Sequence, residues 1–177
     1  VIDQHHIRTY TGIEMNPLAP RPEDIALEDI AQALSLQCRF MGQIPNLYSV
    51  AQHSVLVSRI VPREDALWGL LHDAAEAYLG DLPRPLKRHP IMQDYCAAEA
   101  RVLDCVGQRF GLGPMPASVV VADRIALATE IRELWGQEAL IREGLDVEPL
   151  SLARENEPLC SRVARRLFLS RFRELVK

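Results

Sequence analysis

Two histidines and two aspartates of this chain lie in apolar surroundings. His53 sits in YSVAQHSVLV, the pair His72-Asp73 in LWGLLHDAAEAYLGDLPRPLK, and Asp123 in VVVADRIAL. An imidazole or carboxylate so placed must be paired, neutralised or metal-bound to offset its desolvation. Neutral imidazole nitrogen and carboxylate oxygen are standard donors to a borderline or hard divalent ion. His53, His72, Asp73 and Asp123 are therefore a candidate shell for one divalent metal. His72 and Asp73 are about 100° apart on a helix and can reach a common point in a groove. Asp123 has Arg124 beside it, but adjacent helical residues do not face each other, so the ligand reading is preferred.

Glu76, four residues after His72 and three after Asp73, shares their side of a helix and is either a proton-handling group beside the metal or a surface glutamate on an alanine-rich turn. Asp81, after Gly80, is a loop carboxylate that either orients a ligand or is an exposed turn residue. Arg39, Arg84, Lys87, Arg88 and His89 are candidates for an anionic substrate, and arginine suits phosphate best because its fork donates two parallel bonds. Arg39 with Phe40 could combine phosphate binding with a stacking surface for a base or sugar.

These residues need helices to position them. Ser49-Val50-Ala51-Gln52 reads as a capping box opening a helix in which Val50, His53, Val57 and Ile60 share the inward face, with Pro62 as its end. A helix from about Arg63 to Tyr78 stops at Gly80, and DLPRPLK (81–87) reads as a rigid non-helical loop because Pro83 and Pro85 block regular pairing. Pro90 opens a helix with the stripe Ile91, Tyr95, Ala98, Val102 and Val106, and Pro116 opens one containing Val119, Asp123, Ala126 and Leu127. Helices are also expected from near Asp24 through Leu34, over Gln137–Glu143 and over Leu159–Leu175. Ile7, Thr9, Thr11 and Ile13 alternate around Gly12 and suggest a short hairpin.

The 177 residues suit a single all-α domain with a real core. A net charge of −4 argues against general nucleic-acid affinity, and the basic residues of the last helix read as a solvated face. Cys38, Cys96, Cys105 and Cys160 form no C-x-x-C pair and read as reduced, mostly buried thiols of a cytoplasmic protein. No apolar run approaches the roughly 20 residues of a membrane span.

The order His53…His72-Asp73…Asp123 resembles the HD-domain metal-dependent phosphohydrolases. The longer patterns SVAQHS (49–54) and LLHDAAEAYLGDLPRPLK (70–87) are similar to the subgroup of bacterial 5′-deoxynucleotidases and phage-encoded dATP triphosphohydrolases. The likeness spans roughly residues 24–135. It implies an HD helical bundle in which His53, His72, Asp73 and Asp123 ligate the metal, Glu76 transfers protons and Asp81 supports the site.

The resemblance also implies that Arg39, 14 positions before His53, contacts phosphate. Its neighbour is Phe40 where the family often has tryptophan. His5, His6 and His89 fall outside any helical ligand pattern, which favours one ion, of Co²⁺, Mn²⁺, Zn²⁺, Fe²⁺ or Mg²⁺. The activity expected is hydrolysis of the 5′-phosphoester of a deoxynucleoside monophosphate, with Lys87 helping Arg39 to offset charge. The alternatives are a deoxynucleoside triphosphate triphosphohydrolase and a catalytically inactive nucleotide-binding module. A homo-oligomer is expected, with a small-molecule nucleotide and neither nucleic acid nor membrane as partner.

Overall fold

In the computed structural model, which describes residues 5–151 and 157–177, the chain is all-α with one short β-hairpin. Strand β1 (Ile7–Arg8) pairs antiparallel with β2 (Glu14–Met15), Ile7 opposite Met15. The turn closes through Gly12 at φ +90°, whose N–H reaches the Thr9 carbonyl. Thr11 donates its N–H and hydroxyl to the two carboxylate oxygens of Asp29, at 2.6 and 2.9 Å. Those bonds tie the hairpin to the first turn of helix α1 (Leu27–Leu36), and Met15 is fully buried.

The α-helix starts later than Asp24. Pro22–Asp24 is a separate 3₁₀ turn, and Asp24 accepts from the backbone and guanidinium of Arg21 instead of capping α1. Helix α2 (Val50–Ile60) is the centre of the fold, with every residue from Val50 to Ser58 buried and α1, α3, α7 and α9 packed around it. Half of the expected capping box forms, since Ser49 Oγ accepts the Gln52 N–H at 3.2 Å. The Gln52 side chain does not return the bond. Its amide donates to the Glu157 carbonyl and accepts from the Leu159 N–H, at 2.8 and 3.0 Å, holding the approach to the last helix against α2.

The expected helix from Arg63 to Tyr78 is broken. A 3₁₀ turn (Arg63–Asp65) leads into α3 (Ala66–Leu71), and α4 (Glu76–Leu79) follows after four residues of tight turn. Through that turn the bonds run to the third residue back, from Ala74 to Leu71 and from Glu76 to Asp73. Such winding has three residues per turn, so Asp73 and Glu76 eclipse each other. Gly80, at φ +88°, ends α4 as its sequence position suggests. Gly69 permits α3 to lie against α2, because a Cβ there would stand 2.9 Å from Val61 Cγ2 and 3.0 Å from Ser58 Cα.

The 81–87 segment is not wholly non-helical. Arg84–Lys87 forms one turn, α5, with Pro83 extended before it and Pro85 in its first turn, where proline removes no helical bond. A 3₁₀ turn (Pro90–Met92) precedes α6 (Gln93–Phe110), which buries Ala98, Val102 and Val106. Ile91 is 81% exposed and lies off the expected stripe, because the turn carries it away from the core.

Helix α7 (Ala117–Trp135) is followed across Gly136 by α8 (Gln137–Glu143), the latter with the expected bounds. The last helix, α9 (Ser161–Leu175), is amphipathic and not merely a solvated basic face. It buries Ala164 and Phe168 against the core, and Arg171 donates to the carbonyl and hydroxyl of Ser58 near the end of α2. All four cysteines are free, but only Cys105 is buried and Cys160 is exposed. No described helix is long and apolar enough to cross a membrane.

Candidate metal centre

The residues singled out by type converge from separate elements. His53 comes from the first turns of α2, His72 and Asp73 from the tight turn after α3, and Asp123 from α7. The ligand atoms of His53, His72 and Asp123 lie within 4.8 Å of one another, so these three can hold a metal ion. Asp73 joins them, its Oδ2 lying 3.5 Å from His53 Nε2 and 3.2 Å from His72 Nε2. Asp123 Oδ1 lies 3.2 and 4.0 Å from the same two nitrogens.

Hydrogen bonds on the far side of each ring fix which nitrogen faces the centre. His72 Nδ1 is 2.9 Å from the Gly69 carbonyl, and His53 Nδ1 is 2.6 Å from Glu130 Oε1. A carbonyl and a carboxylate only accept, so both Nδ1 atoms must donate. In the neutral imidazoles both Nε2 atoms then carry lone pairs. Both are buried without a hydrogen-bond partner, although carboxylate oxygens approach them. Lone pairs gathered at such distances repel unless a proton or a metal cation lies among them, and two carboxylates beside two neutral imidazoles would neutralise a dication. On that ground the donor set fits a divalent ion.

Glu130 is the functional candidate that the sequence reading missed. It is fully buried in α7, seven residues and about two turns after Asp123. Oε1 accepts from His53, while Oε2 accepts Nε and Nη2 of Arg39, each at 3.0 Å. The signal was present as a lone glutamate in the apolar run IALATEI. Arg39 is placed by a short backbone pairing in which its N–H meets the Tyr48 carbonyl and Val50 N–H meets Gln37. Its Nη1 lies 3.8 Å from Asp73. Arg39 is thus held by carboxylates at the centre's edge, where it also lines the neighbouring cavity.

The charges reinforce one another. Burial and Arg39 both oppose protonation of His53, but Glu130 and Asp123 prevail and raise it to about 9. Burial works against ionised Asp73, Asp123 and Glu130 as well. His72, His53 and Arg39 nonetheless hold Asp73 far below the carboxylate range. His53 and His72 bring Asp123 to about 2, and Arg39 with His53 lowers Glu130.

Glu76 behaves oppositely. Burial, with Asp73 and Asp81 nearby, pushes its carboxyl up to about 9, and its Oε2 is buried without a partner. Burial and Asp73 also raise Asp81. Lys87 Nζ lies 3.2 Å from Glu76 and 2.6 Å from Glu99, so this lysine too is already committed to carboxylates.

Above the centre opens a cavity of about 540 Å³. Asp73, Glu76, Asp81 and Asp123 reach it from the metal side, Arg84 and Arg88 from α5. Its apolar wall includes Phe40, Leu127, Ile131 and Trp135. Phe40 meets Trp135 edge-on, the rings 4.7 Å apart at 80°, and lies under the Arg39 guanidinium. Phe40 and Met41 both adopt left-handed backbone, at φ 57° and 54°, which costs a non-glycine residue about 1–2 kcal/mol. The strained turn sets Phe40 against the α7–α8 cluster of Ala128, Ile131 and Leu140.

No protein-family model matches the sequence. The chain is 39% identical over 170 residues to the uncharacterized protein YfdR of Escherichia coli, spanning 96% of this chain and 94% of YfdR. It is 34% identical over 143 residues to an uncharacterized protein of Rhodobacter capsulatus, spanning 73% of this chain and 72% of that protein. With such identity sustained along nearly its whole length, the chain belongs to the same protein family as YfdR.

Proposed function

We propose that this chain is a divalent-metal-dependent phosphohydrolase of the HD type, acting on the 5′-phosphoester of a deoxynucleoside monophosphate. The observation that carries the reading is the pair of buried imidazoles held through Nδ1 with their Nε2 atoms turned toward Asp73 and Asp123 beside a cavity. His53, His72, Asp73 and Asp123 would hold the ion. Bound there, a divalent ion supplies Lewis acidity to a phosphoryl oxygen and lowers the pKa of water beside it.

The chain's own residues do the remaining work. Glu130 and the Gly69 carbonyl keep the two rings in the ligating tautomer. Glu76 Oε2, buried and unpartnered, holds a proton for the leaving 5′ oxygen. Phe40 and Trp135 offer an aromatic surface to the flat base, and the cavity is of the size that takes a small molecule.

The test is a product assay over deoxynucleoside mono- and triphosphates with Mn²⁺ and Co²⁺. Metal-dependent release of inorganic phosphate from the monophosphates is expected. Triphosphate released from dATP in its place would assign the triphosphohydrolase activity. No hydrolysis with any pair, or hydrolysis retained by Asp73→Asn, would sink the reading.

A further inference from the structure

We propose that Arg84, which meets Asp123 at the edge of the centre, is the side chain that receives the substrate's phosphate. This builds on the metal-dependent phosphohydrolase reading above. The cations around the cavity are not equivalent. Arg39 is nearly buried and bonded to Glu130, and Lys87 lies between Glu76 and Glu99. Neither can turn to a substrate without abandoning a buried carboxylate, which is costly.

Arg84 differs in exposure and in partner. Its side chain is 45% exposed, and the carboxylate it meets is Asp123, through Nη2 and Oδ2. The other oxygen of that carboxylate, Oδ1, faces His53 Nε2. Arg84 therefore stands one carboxylate away from the position a metal would take. A dication held by Asp123 and its neighbours would draw charge from the carboxylate and loosen its hold on the guanidinium. A phosphate bound beside the site would offer Arg84 a more highly charged acceptor with two oxygens for the fork.

The backbone keeps this cation at the mouth of the cavity. Pro83 and Pro85 flank Arg84 and restrict the chain there, while the long side chain remains free to pivot. Arg88 follows one turn later, its N–H bonded to the Arg84 carbonyl at 3.0 Å, and both line the cavity. Among the described residues Arg88 meets no carboxylate, so it can support the same anion.

The experiment uses the full chain with Mn²⁺ and with inorganic phosphate as probe. Calorimetry measures Mn²⁺ affinity, and ³¹P line broadening by bound Mn²⁺ measures phosphate affinity. Arg84→Ala is expected to bind Mn²⁺ as tightly as the parent or a few-fold tighter, and phosphate at least tenfold more weakly. Arg84→Lys should fall between, and Arg63→Ala, on the 3₁₀ turn before α3, should match the parent.

Unchanged phosphate affinity in Arg84→Ala would overturn the assignment. So would a tenfold loss of Mn²⁺ affinity, which would make Arg84 a prop for Asp123. A parent that binds Mn²⁺ and phosphate but hydrolyses no nucleotide would refute the enzymatic reading and leave the role of Arg84 decided by these affinities. A parent that takes up no Mn²⁺ would refute both.

Discussion

Glu130 accepts the Nδ1 proton of His53 at 2.6 Å while its other oxygen binds Arg39. One carboxylate thereby fixes the tautomer of a metal-ligand candidate and neutralises a buried guanidinium. The arrangement explains how three ionisable groups coexist where His53 and Glu130 are fully buried. It also separates two consequences of removing Glu130.

Glu130→Gln should lower stability by about 3–5 kcal/mol in urea denaturation, because Arg39 is left buried without its counter-charge. The same change should weaken Mn²⁺ binding about 10–100-fold, since the partner behind a ligating histidine is lost. Adding Arg39→Met should recover much of the stability and none of the metal affinity. If the double variant regains both, Glu130 acts only through packing and charge balance.

Asp73→Asn should abolish stoichiometric Mn²⁺ uptake, measured by elemental analysis after gel filtration, while the far-ultraviolet spectrum stays unchanged. Saturating Mn²⁺ should raise the melting temperature of the parent, since a ligand at 100-fold its Kd adds about 2.7 kcal/mol of stability. The variant should show no such rise. An undiminished thermal shift would place the ion elsewhere.

The helical skeleton was legible because its signals are local. Pro116 before α7, Gly80 after α4 and the Ser49 cap of α2 all act where the sequence puts them. The donor residues stood out for a similar reason, as charges among apolar neighbours. Partnership was not legible, because Arg39 meets Glu130 from 91 residues away and Gln52 meets Glu157 from 105. The break after Leu71 was hidden too. The run LLHDAAEAYL is locally helical, and only the tight bonds of the turn reveal that Asp73 and Glu76 eclipse.

Gly69→Ala should destabilise the fold by about 1–3 kcal/mol, the usual range for overpacking a filled contact. The added carbon would stand 3.0 Å from Ser58 Cα, a backbone atom that cannot move aside cheaply. Gly69 also supplies the carbonyl that orients His72, so Mn²⁺ affinity should fall with stability. Parent-like denaturation and metal titrations would mean that α3 shifts off α2 at little cost.

Trp135→Ala tests the apolar wall apart from the metal. The indole is 41% exposed and meets Phe40 edge-on, away from His53 and His72, so Mn²⁺ affinity and phosphate affinity should not change. A base lying on this wall would lose contact worth about 1–3 kcal/mol, by analogy with base–aromatic stacking. KM for a deoxynucleoside monophosphate should therefore rise between about fivefold and about 150-fold with kcat little altered, as expected when binding is lost equally from ground and transition states. For p-nitrophenyl phosphate, whose leaving group is too small to span the cavity, KM should change much less. Equal losses on both substrates would show that Trp135 only supports the strained turn at Phe40 and does not read the base.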